Sequence, residues 1–384
     1  MRYDVIVVGA GPAGATAARG MARRGLSTCL LEKHVLPRDK PCGGGLWPAI
    51  RGWLDVDYGE AVERVARSVT FVTRGGRFLT YHLDAAVIEM VRRSIFDHLL
   101  VEAAVRAGAV LREGESVVAV RERAGEVEVR LASGRACRST VVVGADGAQS
   151  VVARSVGLAG APGGLALAAE LEPRDPGALE TFGQRMFFSF HDVPEGYGWL
   201  FPKRDHFSVG VTTVRPQLSG LVPAYHRFCR RFPFLAEARQ CYCRGWRLPF
   251  NRGFRRLNTD RVCLIGDAAS LVDPLTGEGI YHAVRSGVLA AEIIHEQLGC
   301  SGRLISDYTR RFHETLVTDL ASAGRLSRLF FRWSGLFYRS RTMVELLADV
   351  ARGKIAYHNL WLELLRRLHE SCRPFGRGEQ HVLK

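Results

Sequence analysis

The sequence predicts an α/β fold in which a domain of alternating strands and helices is interrupted by an antiparallel sheet and followed by a helical C-terminal region. Two observations lead to this prediction. An apolar strand, a glycine-rich turn and a helix follow one another over residues 3–35, and the same order returns over residues 261–298. Between them, residues 164–250 are rich in short β segments, which suits an antiparallel sheet with one face open to a ligand. A chain of 384 residues can bury the core of two such interlocked units.

Three regions follow from this pattern. A discontinuous first domain is predicted over residues 1–160 and 251–300, and a substrate-binding β-sheet domain over residues 161–250. A helical C-terminal region is predicted over residues 301–384.

Local patterns predict the elements within these regions. Apolar spacing indicates a helix over residues 87–107, ended by Gly108, and another helix over residues 221–237. Apolar runs bounded by turn residues indicate strands at 117–121, 127–131, 139–143, 165–171, 185–191, 198–201 and 206–214.

Composition is that of an ordinary globular protein from a reducing compartment. Apolar residues make up 47% and charged residues 24%, which argues against disorder. Of the nine cysteines only Cys241 and Cys243 lie close together, so there is no CxxC motif, and we expect free thiols. Met1 leads directly into an apolar strand without the features of a signal peptide, and no run of about 18 apolar residues occurs. We therefore expect a cytoplasmic protein that spans no membrane.

Positive charge is concentrated near the C-terminus. The net charge is +14, and residues 301–384 hold 15 Lys and Arg against 8 Asp and Glu. The arginines that alternate there with large apolar side chains are Arg325, Arg328, Arg332, Arg339 and Arg341. Such a helix can lie on an anionic bilayer, as a peripheral contact with the cytoplasmic membrane, or dock on the protein body with a solvated arginine face. No nucleic-acid recognition motif accompanies the charge, so we expect no nucleic-acid partner.

The strongest chemical signal is the glycine-rich turn at residues 9–14 (GAGPAG), which joins an apolar strand to a helix of small residues. Gly9 permits the tight turn, Gly11 lets the backbone approach a pyrophosphate, and Gly14 lets the helix pack on the strand. The helix N-terminus adds free N–H groups and positive potential. Glu32 ends the next strand, where a carboxylate can bind the ribose hydroxyls of adenosine and disfavours a 2′-phosphate. The pattern therefore predicts bound FAD or NAD rather than NADP.

Two later segments favour FAD. Residues 141–147 (VVVGADG) are an apolar strand ending in Asp-Gly, and residues 261–269 (RVCLIGDAA) are another ending in Gly-Asp and small residues. Together with the first turn, and in this order, they resemble the three fingerprints of the flavoprotein hydroxylase superfamily. That resemblance implies FAD contacts by Gly266 and Asp267 at the ribityl chain and by Asp146 and Gly147 near the pyrophosphate.

Three further motifs resemble one branch of that superfamily, the geranylgeranyl reductase family. They are residues 40–45 (KPCGGG), 196–202 (GYGWLFP) and 274–280 (PLTGEGI). The resemblance implies a flavoenzyme that saturates isolated double bonds of polyprenyl chains, with a prenyl lipid or a prenylated small molecule as substrate. No second GxGxxG motif exists, so we expect an external electron donor, NADPH or ferredoxin, to dock transiently.

The family resemblance also assigns roles to individual residues. Arg93 matches the flavin-contacting arginine of the family. The other implied cofactor contacts are Ala13, Lys33, Cys42, Gly43, Gly44, Val118, Gly277, Gly279 and Ile280. The implied substrate contacts are Tyr197, Trp199, Phe201 and Pro274. Cys42, Tyr197 and Trp199 are placed at the reaction centre.

Each of these motifs has two physical interpretations. Residues 274–279 should lead into a helix whose first N–H groups either face the flavin pyrimidine or simply cap the helix. Cys42 could contact the flavin or pass a proton, or it could be a buried structural thiol. Tyr197 and Trp199 alternate on a strand and so face the same side, as a wall for a prenyl chain or as core packing.

Other function classes have weaker sequence support. There is no GxSxG, HExxH or phosphate loop, and the 12 histidines are scattered, so we expect no metal site. An FAD-dependent monooxygenase or halogenase acting on an apolar or aromatic substrate is an alternative. However, residues 196–202 differ from the halogenase WxWxIP motif, and the two early lysines, Lys33 and Lys40, fit the flavin motifs. A flavin-containing lipid carrier would keep the same pocket without turnover. We predict an ene-reductase of a prenyl lipid, in which reduced flavin N5 gives hydride to one alkene carbon and an acid that the sequence does not identify protonates the other.

Overall fold

The computed structural model describes residues 2–160, 163–183, 185–216, 220–299, 305 and 307–371. The strands, in chain order, are β1 (Arg2–Val8), β2 (Thr28–Leu31), β3 (Gly45–Leu46), β4 (Val62–Ala66), β5 (Ser68–Val72), β6 (Phe78–His82), β7 (Ile88–Val91), β8 (Val110–Arg112), β9 (Val117–Arg123), β10 (Glu126–Leu131), β11 (Ala136–Gly144), β12 (Gly164–Glu172), β13 (Arg185–Ser189), β14 (Gly196–Pro202), β15 (Phe207–Thr213), β16 (Arg239–Leu248) and β17 (Val262–Leu264). The helices are α1 (Pro12–Ala22), α2 (Arg93–Arg106), α3 (Val151–Ser155), α4 (Gly177–Phe182), α5 (Leu221–Cys229), α6 (Ile280–Gly299), α7 (Tyr308–Phe312), α8 (Thr318–Phe337), α9 (Arg341–Ala351) and α10 (Leu360–Ser371).

The first sheet confirms the predicted α/β class. Its strand order is β8-β2-β1-β11-β10-β9, and β17 pairs with β11. The pairs among β8, β2, β1, β11 and β17 are parallel, whereas β9 and β10 form an antiparallel edge. Val5, Ile6 and Val7 of β1 are fully buried, as a parallel strand covered on both faces requires. Helices α1 and α6 pack so closely that a Cβ added at Gly20 would lie 2.7 Å from the Cβ of Ala291.

The second sheet has the order β16-β12-β15-β14-β13-β5-β6 and is antiparallel except between β13 and β5. One of its faces packs on α5 through a cluster that includes Phe187, Leu200 and Phe228. Strands β5 and β6 come from residues 68–82, which the sequence-based division had left in the first domain. The parallel pairing of β5 with β13 joins segments far apart in the chain, so no local pattern indicates it. A small third sheet, β3-β7-β4, is formed by segments that flank β5 and β6 in the chain.

Two predicted helices differ from the structure at one end. The helix predicted over residues 87–107 begins only at Arg93, because residues 88–91 pair as β7 with β3 and β4. Strand and helix follow each other almost without a turn, and their combined apolar spacing resembles one longer helix. The helix predicted over residues 221–237 ends at Cys229. Pro233, which has no backbone N–H, begins a separate 3-10 turn.

The C-terminal helices pack on the body of the protein. Tyr308, Phe312 and Leu320 are fully buried. A π-helical turn over His313–Val317 joins α7 to α8, and α8 bends at Trp333, where φ is −125° and ψ is 29°. Within the described ranges, no helix has the length and apolarity needed to cross a bilayer.

Candidate active site

The glycine-rich turn between β1 and α1 contains two glycines that the fold requires and one that leaves space. Gly9 has φ +101°, and a Cβ added at Gly14 would lie 1.8 Å from the carbonyl oxygen of Gly9. A Cβ added at Gly11 would meet nothing nearer than the guanidinium of Arg38, at 3.7 Å. Gly11 therefore leaves an open surface at the N-terminus of α1, which suits a phosphate group.

Glu32 and Arg38 lie beside this turn. The buried Glu32 carboxylate accepts hydrogen bonds from the N–H groups of Ala10 at 2.9 Å and His34 at 3.1 Å. It braces the turn at the position where the sequence predicts a ribose contact. The Arg38 guanidinium lies 3.8 Å from Glu32 and 3.2 Å from the buried carboxylate of Asp97. Arg38 therefore places a positive charge near the open surface of the turn.

The two Asp-containing fingerprints differ in structural role. Asp146 accepts a hydrogen bond from the Ser150 hydroxyl at 2.5 Å and two from N–H groups of the next turn, at 2.6 and 3.1 Å. It thus caps α3, and burial raises the pKa of its carboxyl group. Asp267 instead faces a cavity, with one carboxylate oxygen 3.5 Å from the ammonium nitrogen of Lys40.

The remaining cofactor assignments outside the cavity fall into two groups. Gly266 packs on α1, because an added Cβ would lie 2.9 Å from the Cβ of Ala13. Gly147 has φ +82° and would have no neighbour within 4 Å of an added Cβ. Lys33 is exposed, and Val118 on β9 is 53% exposed. The structure does not bring Lys33 or Val118 to the cavity.

The cavity has a volume of about 270 Å³ and is bounded by the second sheet, the loop before β3, the start of α6 and the C-terminal helices. Its aromatic lining from the second sheet and the adjoining turns consists of Phe71, Phe188, Phe190, Tyr197, Trp199, Phe201 and Trp246. Residues of the cofactor motifs line the same space, among them Pro12, Lys40, Cys42, Asp267 and Gly279. The cavity therefore joins the predicted flavin contacts to a largely apolar wall.

The sheet wall is built from alternate residues of β14. Tyr197, Trp199 and Phe201 all line the cavity, as expected from their spacing. The Trp199 indole lies over Gly210 of β15, where an added Cβ would be 2.2 Å from Cζ2. Its Nε1 lies 3.1 Å from the position of a Cβ at Gly43 and has no hydrogen-bond partner among the described residues. The indole N–H is thus a free donor next to the predicted flavin loop.

Cys42 lies at the centre of that loop. Its sulfur accepts the N–H of Gly44 at 3.3 Å, and the Arg93 guanidinium lies near the thiol. Arg93 in turn makes a bidentate pair with the buried Asp97, at 2.9 and 2.8 Å. A Cβ added at Gly44 would lie 2.3 Å from the carbonyl oxygen of Val91, so at least one of the three glycines is required by packing. Cys42 is therefore half-buried and held between a backbone N–H and a cation.

The loop before α6 contains two buried acids. Asp273 accepts hydrogen bonds from the N–H of Leu275 and the hydroxyl of Tyr357, both at 2.7 Å, and burial raises the pKa of its carboxyl group. Glu278 lines the cavity and accepts the N–H of Tyr281 at 2.7 Å. Burial raises the pKa of Glu278 to about 7. One N–H group that the sequence analysis offered to the flavin is thus taken by Glu278.

The same loop is joined to the sheet and to α8. Its residues that line the cavity include Gly277, Gly279 and Ile280. The hydroxyl of Tyr197 donates to the carbonyl oxygen of Thr276. Pro274, assigned to substrate from the sequence, is buried away from the cavity lining and lies 3.6 Å from the position of a Cβ at Gly324. Tyr197 therefore connects the aromatic wall to the loop, and Pro274 supports the loop from behind.

Sequence patterns alone do not indicate the C-terminal wall of the cavity. Phe330 and Phe337 of α8, Tyr338, and Val344 and Leu347 of α9 line it. The alternation of arginines with large apolar residues was the available signal, because it predicts one apolar face for α8. Which surface that face would cover depends on tertiary contacts.

Two charged residues of the site were also missed. Arg38 stands in an irregular loop, where no periodicity indicates the direction of a side chain. Glu278 stands inside a recognised motif, but spacing alone does not reveal that its carboxyl group is buried in the cavity.

Glu63, Asp205 and His206 form a separate group whose ligand atoms lie within 4.8 Å of one another. Arg92 pairs with both carboxylates, at 2.8 and 3.3 Å, and His206 pairs with Glu170 at 2.9 Å. The carboxylates of Glu63 and Asp205 already share a guanidinium, so this group gives no argument for a metal ion.

These residues fit FAD. The open surface at Gly11 beside Arg38 suits the pyrophosphate, and the exposed edge of Asp267 suits the ribityl hydroxyls. The glycine-rich loop at Cys42 lines the space that a planar ring would occupy, and the unpaired N–H of Trp199 lies against that loop. Bound FAD would supply hydride chemistry next to an apolar wall.

Comparison with known proteins agrees with this fit. A family profile described as an FAD binding domain matches residues 2–172. The chain is 32% identical to the geranylgeranyl diphosphate reductase of Rhodobacter capsulatus over 305 residues, which cover 76% of this chain and 75% of that protein. It is 31% identical to the digeranylgeranylglycerophospholipid reductase of Methanothrix thermoacetophila over 360 residues, or 87% and 89% of the two chains.

Solved structures show the same fold. A geranylgeranyl bacteriochlorophyll reductase-like protein from Thermoplasma acidophilum superposes with a TM-score of 0.77 at 23% identity, covering 97% of this chain and 96% of that one. A flavin-dependent brominase superposes with a TM-score of 0.74 at 21% identity, covering 96% and 100%. At these identities the structural likeness concerns the fold alone, whereas the sequence relatives define the family. The chain belongs to the geranylgeranyl reductase family of FAD-dependent oxidoreductases.

Proposed function

We propose that the protein is an FAD-dependent reductase that saturates double bonds of a geranylgeranyl-type prenyl chain. The observation that carries the proposal is the shared cavity, in which the flavin motifs and a wall of aromatic side chains line one space. The names of the relatives support the same reaction class. The substrate is a prenyl lipid or a molecule with a prenyl side chain.

The chain's own residues would divide the work between cofactor and substrate. Gly11 and Arg38 would hold the pyrophosphate, and Asp267 the ribityl chain. Bound FAD, once reduced, would supply the hydride to one alkene carbon. Arg93 would stabilise the Cys42 loop beside the reacting ring, because its guanidinium lies near the thiol.

The aromatic wall would select an apolar chain. Burying apolar groups contributes about 0.8 kcal/mol for each CH₂ removed from water, so the affinity would come from the length of the prenyl chain. Phe188 of β13, Phe190 just after it, and Phe330 and Phe337 of α8 line the cavity from different elements. With a prenyl chain between them, these rings would exclude water from the reacting alkene.

The partners of the reaction are part of the proposal. NADPH or ferredoxin would supply electrons by transient docking. The protein would contact the cytoplasmic membrane peripherally through the outward face of α8, where Leu329, Trp333 and Leu336 are exposed beside Arg328 and Arg332. The inward face of the same helix lines the cavity. A lipid would therefore pass from the bilayer to the cavity by moving around α8.

Anaerobic turnover tests the proposed function. Chemically reduced holoenzyme is incubated with geranylgeranyl substrates without oxygen, and product mass is measured together with reoxidation of the flavin absorbance. A reductase adds two hydrogen atoms for each bond saturated and reoxidises its flavin. A monooxygenase or halogenase stays reduced until oxygen is admitted, and a lipid carrier changes neither lipid nor flavin. Either of the last two results would contradict the proposal.

A further inference from the structure

The cavity is lined by two acidic side chains in different electrostatic settings. Asp267 lies 3.5 Å from the ammonium group of Lys40. Glu278 is 7% exposed, and none of the ion pairs among the described residues includes it. Arg93 is near enough to favour its charge, but that guanidinium is already held in a bidentate pair by Asp97. Glu278 is therefore a buried acid without a cation of its own.

Glu278 is held in place at the wall of the cavity. It stands between Gly277 and Gly279, which line the cavity with it, and the N–H of Tyr281 holds one of its oxygens at 2.7 Å. The titratable and charged groups that act on it or share its cavity are Asp273, Arg93, Tyr197, Cys42, Lys40 and Asp267. None of these is a free cation, because Lys40 and Arg93 have carboxylate partners of their own.

We propose that Glu278 is the proton-exchanging group of this cavity, which takes up a proton when the bound cofactor is reduced and gives it to the alkene carbon that does not receive the hydride. The second half of this inference rests on the proposed function. Bound reduced flavin would supply two electrons and one hydrogen as hydride to the first alkene carbon and would thereby be oxidised. The O–H bond of Glu278 breaks as a C–H bond forms at the second carbon. The carboxylate left behind regains its proton from solvent when the cofactor is next reduced.

The direction of the proton movement follows from charge. Burial raises the pKa of Glu278 to about 7, so above that pH the carboxylate is ionised when the cofactor is oxidised. Added negative charge on a reduced cofactor nearby raises that pKa further, and the carboxylate takes up a proton. Below pH 7 Glu278 is already protonated, and reduction adds no proton there.

The midpoint potential of the holoenzyme, measured against pH, tests whether Glu278 takes up a proton when the cofactor is reduced. One extra proton taken up by a two-electron couple adds about 30 mV per pH unit to the slope. Above pH 7 we expect the wild-type potential to fall about 30 mV per pH unit more steeply than that of Glu278→Gln, and below pH 7 we expect parallel lines. Gln keeps an oxygen acceptor for the N–H of Tyr281, so the variant should fold. Equal slopes above pH 7 would overturn the proposal.

Two further variants make the result specific. Glu292→Gln removes one charge from a half-exposed position of the same helix and should leave the slope unchanged. Asp273→Asn removes the neighbouring buried acid. Loss of the additional slope in Asp273→Asn but not in Glu278→Gln would assign the proton to Asp273 and overturn the proposal.

Single-turnover oxidation of the pre-reduced enzyme by a prenyl substrate tests whether Glu278 gives its proton to the alkene. We expect Glu278→Gln to slow flavin reoxidation by roughly a hundredfold or more, the usual contribution of a general acid, while lipid binding is retained. If wild-type enzyme saturates the alkene and the variant does so equally fast, the proton-donor role fails and the proposed function stands. If the wild type reduces no alkene, the proposed function fails, and the potential measurement still decides whether Glu278 exchanges the proton.

Discussion

The indole of Trp199 lies across Gly210 of the neighbouring strand, where an added Cβ would be 2.2 Å from Cζ2. Gly210 thus leaves the space in β15 that the indole occupies. The ring fills the row between Tyr197 and Phe201 and forms part of the cavity wall. The absence of a side chain at residue 210 therefore makes room for this part of the cavity wall.

Removing side chains of the aromatic wall should weaken lipid binding and leave FAD binding unchanged. Tyr197→Ala and Trp199→Ala should each keep FAD and lower affinity for long prenyl chains by about 1.5–3 kcal/mol, the value of one large apolar side chain. That corresponds to roughly ten- to a hundredfold in dissociation constant. Binding can be followed by flavin fluorescence during titration with a prenyl lipid. If both variants bind and reduce the lipid normally, these side chains are core packing only.

A side chain at residue 210 should obstruct the cavity. Gly210→Ala places a methyl group where the indole lies, so Trp199 must move toward the lipid, and we expect weaker binding of prenyl chains with FAD retained. Gly245→Ala on β16 is the matched control, because its nearest neighbour would be 3.8 Å from the new Cβ. Equal loss of lipid binding in both variants would show a general effect on the sheet.

Substitutions at two glycines of the turn between β1 and α1 should have different effects, one on cofactor binding and the other on folding. Gly11→Val meets no protein atom at close range, so the apoprotein should fold with an unchanged melting temperature but fail to retain FAD. Gly14→Val would clash with the carbonyl oxygen of Gly9 and should destabilise the fold itself. Flavin absorbance after purification and thermal unfolding of both variants measure the difference. A Gly11→Val protein with full FAD occupancy would contradict the placement of the pyrophosphate.

Cys42 should be required for turnover more than for folding. Cys42→Ser keeps an acceptor for the N–H of Gly44 and a polar group near Arg93, so fold and flavin should be retained. We expect slower single-turnover oxidation by a prenyl substrate and a shift in the flavin absorption bands, because a polarisable sulfur leaves the cavity.

The control for Cys42 is a thiol of similar chemistry elsewhere. Cys263 is fully buried in β17 and does not line the cavity, so Cys263→Ser should lower the melting temperature and leave the flavin spectrum unchanged. A Cys42→Ser protein with a lowered melting point and a normal single-turnover rate would leave Cys42 only a structural role.

The sequence predicted those parts of the site that depend on local pattern. Strand, turn and helix at Gly9–Gly14 follow from neighbouring residues, and so does the shared face of Tyr197 and Trp199. The parallel pairing of β5 with β13 and the covering of the cavity by α8 join distant segments, for which spacing carries no information. The role of Asp146 illustrates the same limit, because its carboxylate is used to cap α3 through contacts that the Asp-Gly turn alone does not specify.

The outward face of α8 combines the two features of a helix that lies on a membrane. Leu329, Trp333 and Leu336 are 40%, 50% and 68% exposed. Arg328 and Arg332 are exposed beside them, and the Arg332 guanidinium lies 5.9 Å from the ring centre of Trp333. An apolar stripe flanked by cations favours the interface of an anionic bilayer. The docked helix of the second interpretation is also present, since the other face of α8 lines the cavity.

Liposome sedimentation should therefore depend on lipid charge and on α8. Each arginine near an anionic surface contributes about 1 kcal/mol, so replacing Arg325, Arg328 and Arg332 together with Gln should weaken binding by about 3 kcal/mol, more than a hundredfold. Binding should also weaken as salt shortens the screening length to about 8 Å at physiological ionic strength. The control removes the same charge from the edge of the first sheet, by replacing the arginines at positions 121, 123 and 130 with Gln, and should bind as the wild type does. Equal binding to anionic and neutral vesicles, or equal loss in both triple variants, would leave α8 as a wall of the cavity with a solvated outer face.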